Sequence, residues 1–465
     1  MLSTHYKHLC SPNLHVFKVF LRKSYARCAQ THGKPAKPTQ AMLYFPMSKK
    51  RRRKTKLELK HFVLPSKYER TPFEYEKISV SAIIPTYKPG HLTLRLVEDL
   101  ARWNPNIDIY LVDDSTPEGY PESNMVFTRA VAVSDRVMLL RTPVNTLKAG
   151  ALNFGLKHIF AEERQNWPDV VLTLDDDILI SQGTVKNLVM ELMSVEELGA
   201  VCSQCRVLNK NKNLLTRLQS LEYLGFNATR LADEGFFRGP LVMHGMLTAF
   251  KAEALRTVRG FAEGHLIEDY EITTRLKTAG WSVKSAIDSE AWTVVPETFG
   301  KLWKQRTRWS YGGITVIDNV KYLPSVIQDL IGHATFWATI IMLDILIVGS
   351  LLGAGSGVSP EIPYAIIALS VFQLAIWYVF QLWLMGLYKD KDAYDWLIRA
   401  SLVPEFIYAN VLTLVLVGSY FFLFFNILTR SVTRRSSLLT RNIVAGGRAF
   451  FRACGYSKGW GTRTT

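Results

Sequence analysis

Two patterns of apolar residues divide this chain. Between residues 78 and 174, short β-branched runs alternate with stretches of helical spacing. The run from Ile78 to Ile84 is closed by Pro85 and followed by Pro89-Gly90, which predicts a strand and then a turn. Leu92 to Trp103 has the spacing of an amphipathic helix, Ile107 to Val112 predicts a second strand, and Lys148 to Phe160 a second helix. Val170 to Leu174 is a third strand, apolar enough to be buried on both faces. Strands alternating with helices imply an α/β sheet, and in such sheets ligands bind beyond the carboxyl ends of the strands. The second pattern is three long apolar stretches, Ala334–Gly353, Ile362–Leu387 and Leu402–Leu428, each long enough to cross a bilayer as a helix. Between the two, residues 314–332 carry a mostly apolar face interrupted by Asp318, Asn319, Lys321, Gln328 and Asp329, which predicts a helix lying in the membrane interface. A soluble amphipathic helix would read the same way.

Composition sharpens this division. The 465 residues carry a formal charge of +16, but residues 1–60 hold fifteen Lys or Arg against the single acid Glu58, and residues 429–465 hold eight against none. The intervening part has thirty-three basic and thirty-nine acidic residues, which excludes a nucleic-acid-binding core with a basic face. The basic ends read as segments attracted to anionic lipid, or as solvated tails. Met47, opening MSKKRRRKTK, reads as an alternative start, with residues 1–46 expected to be dispensable. The first thirty residues contain no continuous apolar core of a secretory signal. Cys10, Cys28, Cys202, Cys205 and Cys454 form no disulfide framework, and Cys202-x-x-Cys205 lacks a second pair or nearby histidines for zinc. The expected organisation is a basic N-terminal segment over 1–72, an α/β domain over 73–300, a segment carrying Gln305 to Trp309 together with the interfacial helix over 301–332, a membrane region over 333–428 and a basic tail over 429–465.

Topology presents a conflict. The loop at 354–361 has no Lys or Arg and should lie outside, whereas the loop at 388–401, with Lys389, Lys391 and Arg399, should lie inside. Three full spans would then put the basic tail outside, against the positive-inside rule. One stretch is therefore expected to be interfacial or re-entrant. The last, opening with Pro404 and Glu405, is the weakest candidate for a simple span, and the side of the tail stays open.

Four polar clusters punctuate the chain in order. Asp113-Asp114 stands at a strand end, where it could hydrogen-bond a base or ribose, or simply cap a turn before Ser115-Thr116. Asp175-x-Asp177 follows another strand; two carboxylates at this spacing can hold Mg2+ or Mn2+ while the ion bridges diphosphate oxygens, although an isolated pair of this kind is usually a solvated turn. Glu268-Asp269 precedes a helical pattern, where acids suit a helix N-terminus and where one carboxylate could accept the proton of an attacking hydroxyl. Gln305-Arg306-Thr307-Arg308-Trp309 supplies guanidinium forks for a leaving diphosphate and an indole for stacking a sugar, and also fits an interfacial Arg/Trp belt. Lys148-Ala149-Gly150 offers a cation near the phosphates.

Taken together in this order, the clusters resemble the membrane-integrated processive members of glycosyltransferase family 2, the cellulose, hyaluronan, chitin and poly-N-acetylglucosamine synthases. The resemblance runs from about Ser79 to Trp309 and rests on Pro85-Thr86-Tyr87, Val112-Asp113-Asp114-Ser115, Lys148-Ala149-Gly150-Ala151-Leu152-Asn153, Asp175-x-Asp177, Ile267-Glu268-Asp269 and Gln305-x-x-Arg308-Trp309. It implies a GT-A domain, a Rossmann-like mixed sheet of the nucleotide-diphospho-sugar transferases, followed by interfacial and transmembrane helices. By position it implies Asp269 as general base beside Glu268, and Arg308 on the leaving diphosphate. Pro85, Tyr87, Asp113, Asp114, Lys148, Asp175 and Arg306 fall at the donor, and Asp175 and Asp177 at the metal. Trp309, Gln305, His244 and Gly245 fall at the acceptor. The segment His244-Gly245 departs from the family's usual Cys/Ser-Gly, and Ile267 from its usual Thr or Ser. The implied reaction is polymerisation of a β-linked sugar from a nucleotide-diphospho-sugar, UDP-sugar first, onto a glycan acceptor at the cell membrane, with a cytosolic catalytic domain. A single addition onto a lipid or polyprenyl phosphate, and a non-catalytic membrane transporter or scaffold, are the alternatives. Few spans are available to form a channel, so a partner membrane subunit or a homo-oligomer is expected.

Overall fold

The structure is a computed structural model that describes residues 68–161, 166–317, 322–329, 361–432 and 438–456. The basic N-terminal run at 48–60, the apolar stretch Ala334–Gly353 and most of the loop after it lie outside the described residues.

The strands form one eight-stranded mixed sheet in the order β3-β2-β1-β4-β7-β6-β8-β5. Its parallel half contains β1 (Val80–Thr86), β2 (Asp108–Asp113), β3 (Val137–Arg141) and β4 (Val170–Leu174). The other half contains β5 (Ile178–Ile180), β6 (Leu198–Val207), β7 (Leu247–Lys251) and β8 (Ser282–Thr293), with β7 antiparallel to both β4 and β6. Period-2 alternation divides the side chains between two cores. Ala82 and Ile84 on β1, Ile109 and Leu111 on β2, and Leu172 and Leu174 on β4 face one layer, with Leu96, Val97 and Leu100 of helix α1 (His91–Trp103). Ile83, Tyr110, Val112 and Val171 face the other, with Leu152 and Leu156. These strands are hydrophobic almost throughout because helices cover both faces.

Helix α2 (Pro121–Val131) flanks the first layer, and α3 (Leu147–Ile159) the second. Gly155 on α3 is a close-approach position: a Cβ there would come within 2.8 Å of the Ile83 side chain, so any larger residue would push α3 off β1. The remaining helices of the domain are α4 (Thr184–Met193), α5 (Leu214–Leu231), α6 (Ala252–Thr257) and α7 (Glu268–Thr278). Cys202 and Cys205 are buried free thiols on β6.

The sequence Gln305 to Trp309 lies within helix α8 (Phe299–Ile317). Residues 314–332 are not one interfacial helix. Tyr322 is non-helical, and a short helix at 323–329 follows it. Of the polar residues that interrupt the apolar face, Gln328 and Asp329 are turned onto the α/β domain: Lys277 Nζ donates to Gln328 Oε1 at 3.2 Å and Tyr270 Oη to Asp329 Oδ1 at 3.5 Å.

Helices α9 (Glu361–Leu387), α10 (Ala393–Ser401), α11 (Val403–Val432) and α12 (Leu438–Ala453) complete the described residues. Among these, the helix long and apolar enough to cross a membrane is Val403–Thr429, and Leu374–Gly386 is a shorter apolar stretch. This is the stretch expected to be the weakest candidate for a simple span, and neither Pro404 nor Glu405 breaks its helix. Pro404 sits in the first helical turn, where no intrahelical N–H bond is lost. Glu405 is matched by buried Arg399, with 2.8 Å between guanidinium and carboxylate. Leu384, Met385 and Tyr408 of these helices join Leu218, Leu221 and Leu224 of α5 in a third core, which fastens the apolar helices to the α/β domain.

Candidate active site

At the carboxyl ends of β1 and β4 a cavity of about 1610 Å³ opens and runs to the apolar helix α11, where Leu412, Val415 and Leu416 close it. At its strand end, three segments far apart in sequence converge on Lys148, at the start of α3. Its Nζ lies 2.6 Å from Asp175 Oδ1 and 2.7 Å from Glu268 Oε1, and donates to the Gly245 carbonyl at 3.2 Å. Burial opposes the charge on Lys148, but Asp175, Glu268 and Asp269 outweigh it and hold the ammonium protonated well above its usual range. Gly245 is required here by close approach. A Cβ would stand 2.6 Å from Lys148 Nζ and 3.2 Å from Glu268 Oε1, so only the missing side chain lets the cation reach both acids.

Asp269, in the first turn of α7, is held rigidly. Its Oδ2 accepts from the Gly245 N–H at 2.9 Å and its Oδ1 from its neighbour Tyr270 N–H at 2.8 Å. Burial, then the charge of Glu268, pushes its carboxyl up to about 6. Glu268 goes the other way: burial disfavours its ionisation, but Lys148 prevails and lowers its pKa. Adjacent carboxylates thus acquire different proton affinities, which is how acid–base roles are separated at one site.

In the acidic triplet, Asp176 is committed to the fold through Thr86 Oγ1 at 2.5 Å. Asp177 opens onto the cavity. Enclosure by the cavity walls, then the charges of Asp175 and Asp176, pushes its carboxyl up to about 7. Among the described residues no cluster of three or more His, Cys, Asp or Glu is arranged to hold a metal. The pair Asp175 and Asp177 nevertheless suits a divalent ion shared with substrate oxygens, because Mg2+ sites commonly use one or two carboxylates plus phosphate oxygens. The repulsion of Asp175 and Asp176, second to burial among the causes that raise the Asp177 pKa, is what such an ion would relieve.

Several expected donor residues are used elsewhere. Asp113 Oδ1 accepts from the Thr116 N–H at 2.9 Å and its Oδ2 pairs with Arg141 at 3.3 Å. Asp114 Oδ1 accepts from the Thr146 N–H, the Thr146 hydroxyl and the Thr142 hydroxyl. Both are buried, and neither lines the cavity. Pro85 likewise lies within β1, paired with Val112. The contacts of Asp113 and Asp114 fit the turn-forming reading. Tyr87, beside them, does line the cavity.

Arg306, expected at the donor, is occupied by Glu222 at 2.6 Å and by Gln305 Oε1 at 2.8 Å. Its guanidinium stacks 4.2 Å above the Trp309 ring. Arg308 lines the cavity and spends one N–H on the Leu266 carbonyl at 3.3 Å. His244 is buried in the wall. Its Nδ1 accepts from the Met246 N–H and its Nε2 meets the Ser203 carbonyl, which fixes a neutral ring. Burial, then Arg230, pushes its pKa down to about 3, so it shapes the wall and takes no part in proton transfer near neutrality. Glu222, Tyr223 and Arg230 on α5 also line the cavity and were missed. The available signal was a charged Glu222 between Leu221 and Leu224 on an otherwise apolar helical face.

Comparison with known proteins agrees with this geometry. Residues 170–426 match the profile described as glycosyl transferase family group 2. Poly-beta-1,6-N-acetyl-D-glucosamine synthase from Staphylococcus epidermidis is 27% identical over 213 residues, 46% of this chain and 49% of that protein. The protein of the same name from Staphylococcus aureus (strain COL) is 31% identical over 173 residues, 37% of this chain and 40% of that protein. The chain thus spans half or less of the length of these curated relatives. Among solved structures, the mannosyltransferase PcManGT from Pyrobaculum calidifontis, in complex with GDP-Man and Mn2+, matches 72% of this chain and 93% of its own with a TM-score of 0.50 and 18% identity. That likeness establishes the fold, a mixed α/β, Rossmann-like GT-A domain.

Proposed function

The chain belongs to glycosyl transferase family group 2, and we propose that it extends a glycan at the cell membrane from a nucleotide-diphospho-sugar, with inversion at the anomeric carbon. The observation that carries this reading is the convergence of Lys148, Asp175, Glu268 and Asp269 around the side-chain-free Gly245 at one end of a cavity that reaches an apolar helix.

In this reading the acceptor hydroxyl oxygen bonds to the anomeric carbon as the bond from that carbon to the diphosphate oxygen breaks. The hydroxyl proton passes to Asp269, whose backbone hydrogen bonds aim its carboxylate and whose raised pKa suits a base working near neutrality. Charge develops on the leaving diphosphate, where Lys148 and Arg308 are the cationic donors; one such donor is commonly worth about 2.7–4 kcal/mol. Asp175 and Asp177 would hold Mg2+ or Mn2+, which when bound supplies further charge neutralisation at the diphosphate. Tyr87, at the donor end, offers a ring for the nucleotide, and Trp309 stacks the acceptor sugar. The catalytic domain faces the cytosol, where nucleotide sugars are supplied, and the chain crosses the membrane more than once.

The names of the Staphylococcus relatives make UDP-N-acetylglucosamine the first donor to test. Purified protein in lipid, given a panel of radiolabelled nucleotide sugars, should yield labelled polymer from one UDP-sugar on a sizing gel. Products carrying one added sugar on a lipid would replace the polymerase reading with single addition, and no transfer from any donor would overturn both.

A further inference from the structure

Trp309 is not held by the apolar wall alone. The guanidinium of Arg306, three residues earlier on α8, lies over its ring at 4.2 Å. Arg306 is only 5% exposed, and its Nε is buried without a hydrogen-bond partner, so its Nη contacts hold it in place. The plane of the guanidinium is set by Glu222 on α5, whose Oε2 accepts from Nη2 at 2.6 Å. The same Oε2 accepts from the Tyr408 hydroxyl at 2.6 Å. Tyr408 is buried near the start of the membrane-crossing helix and does not line the cavity. A continuous path of polar contacts therefore runs from that helix through α5 to the indole.

We propose that Glu222 and Tyr408 are positioning residues that fix the Trp309 ring through Arg306, so that the membrane-crossing helix sets the stacking platform for the acceptor sugar. The inference rests on the reading of Trp309 as the acceptor platform. The physical reason is that a cation over the indole face attracts the ring electrostatically, and a carboxylate gripping the guanidinium fixes where that attraction acts. A bare hydrophobic wall would let the ring rotate. Two anchors on one carboxylate oxygen, one from the catalytic helix and one from the membrane helix, hold the platform in register with both.

The test uses full-length protein in lipid with a soluble oligosaccharide acceptor, reading acceptor KM, kcat and release of nucleotide diphosphate by hydrolysis without acceptor. Tyr408→Phe removes only the hydroxyl. It should raise acceptor KM about three- to tenfold, the scale of one hydrogen bond, with donor hydrolysis at the wild-type rate. Arg306→Lys keeps the charge and loses the plane, and should act in the same direction more strongly. In a Trp309→Ala background, Tyr408→Phe should add nothing, because coupled residues are non-additive. Wild-type acceptor KM in Tyr408→Phe, an equal fall in hydrolysis and transfer, or full additivity with Trp309→Ala would each overturn the positioning role. Wild-type protein that transfers to no acceptor would instead overturn the acceptor reading itself, and this inference with it.

Discussion

Asp269 accepts one backbone N–H on each carboxylate oxygen, which leaves a lone pair on each to receive a proton. Asp269→Asn keeps that shape and removes proton acceptance, so kcat should fall about 10²–10⁴-fold, the usual scale of general-base loss, with donor affinity within a few-fold. If only donor affinity falls, Asp269 binds and does not catalyse. The pH dependence has a definite sign. A base whose pKa is pushed up to about 6 is protonated as pH falls through that value, so kcat should decline on the acid side near pH 6 and be flat above it. Asp177 makes a second prediction. Without an ion its carboxyl is held up at about 7, and a cation must displace that proton. The concentration of Mg2+ or Mn2+ needed for half-maximal activity should therefore rise as pH drops below about 7. Asp177→Asn should abolish transfer while the protein remains folded in the membrane. Undiminished wild-type activity in a chelator would remove the ion from the mechanism. At this scale the sequence was a good guide to chemistry-bearing residues but not to their contacts. Asp113, Asp114 and Arg306 each make hydrogen bonds or ion pairs within the fold, and which donor reaches which acceptor depends on segments folding back from distant positions.

Between elements, the decisive contacts are ionic and partly hidden. Helix α10 sits between the two apolar helices and is pinned to the catalytic domain by Lys210 and Arg217, both bonded to Asp392 and Asp395. Asp395 is fully buried, and Lys210 is nearly so. Removing one partner of a buried pair leaves an uncompensated charge and typically costs about 3–5 kcal/mol. Asp395→Ala should lower the thermal midpoint of the detergent-solubilised protein markedly, whereas Glu74→Ala, which breaks an exposed pair with Lys77, should leave it unchanged. Equal midpoints for the two variants would mean that α10 is not held by this cluster. Strands β1, β2 and β4 and helices α1 and α3 were legible from periodicity within a residue or two, because burial on one or both faces imposes a period that composition records. The break at Tyr322 was not legible. Gln328 and Asp329 looked like flaws in an apolar face, and their partners Lys277 and Tyr270 are more than fifty residues away.

At the scale of the molecule, one cavity joins acids at the strand ends to the side of an apolar helix, and Trp309 stands between them. Trp309→Ala should reduce polymer far more than it reduces donor hydrolysis by water, since hydrolysis needs no stacked acceptor. The check is nucleotide diphosphate released against polymer on a sizing gel, and a parallel loss of both would deny Trp309 its acceptor role. The sequence by itself determined the α/β class, the order of the acidic clusters, the apolar character of the last helix and the likeness to family 2 synthases. Each of these is a property of neighbouring residues or of their order, and so survives in one dimension. Tertiary structure alone decided that Lys148 bridges Asp175 and Glu268, that Gly245 leaves the space for it, that Glu405 is paired with Arg399, and that Arg306 lies over the indole. These outcomes turn on distances of a few ångströms between segments tens to hundreds of residues apart, and such distances exist only once the chain has closed on itself.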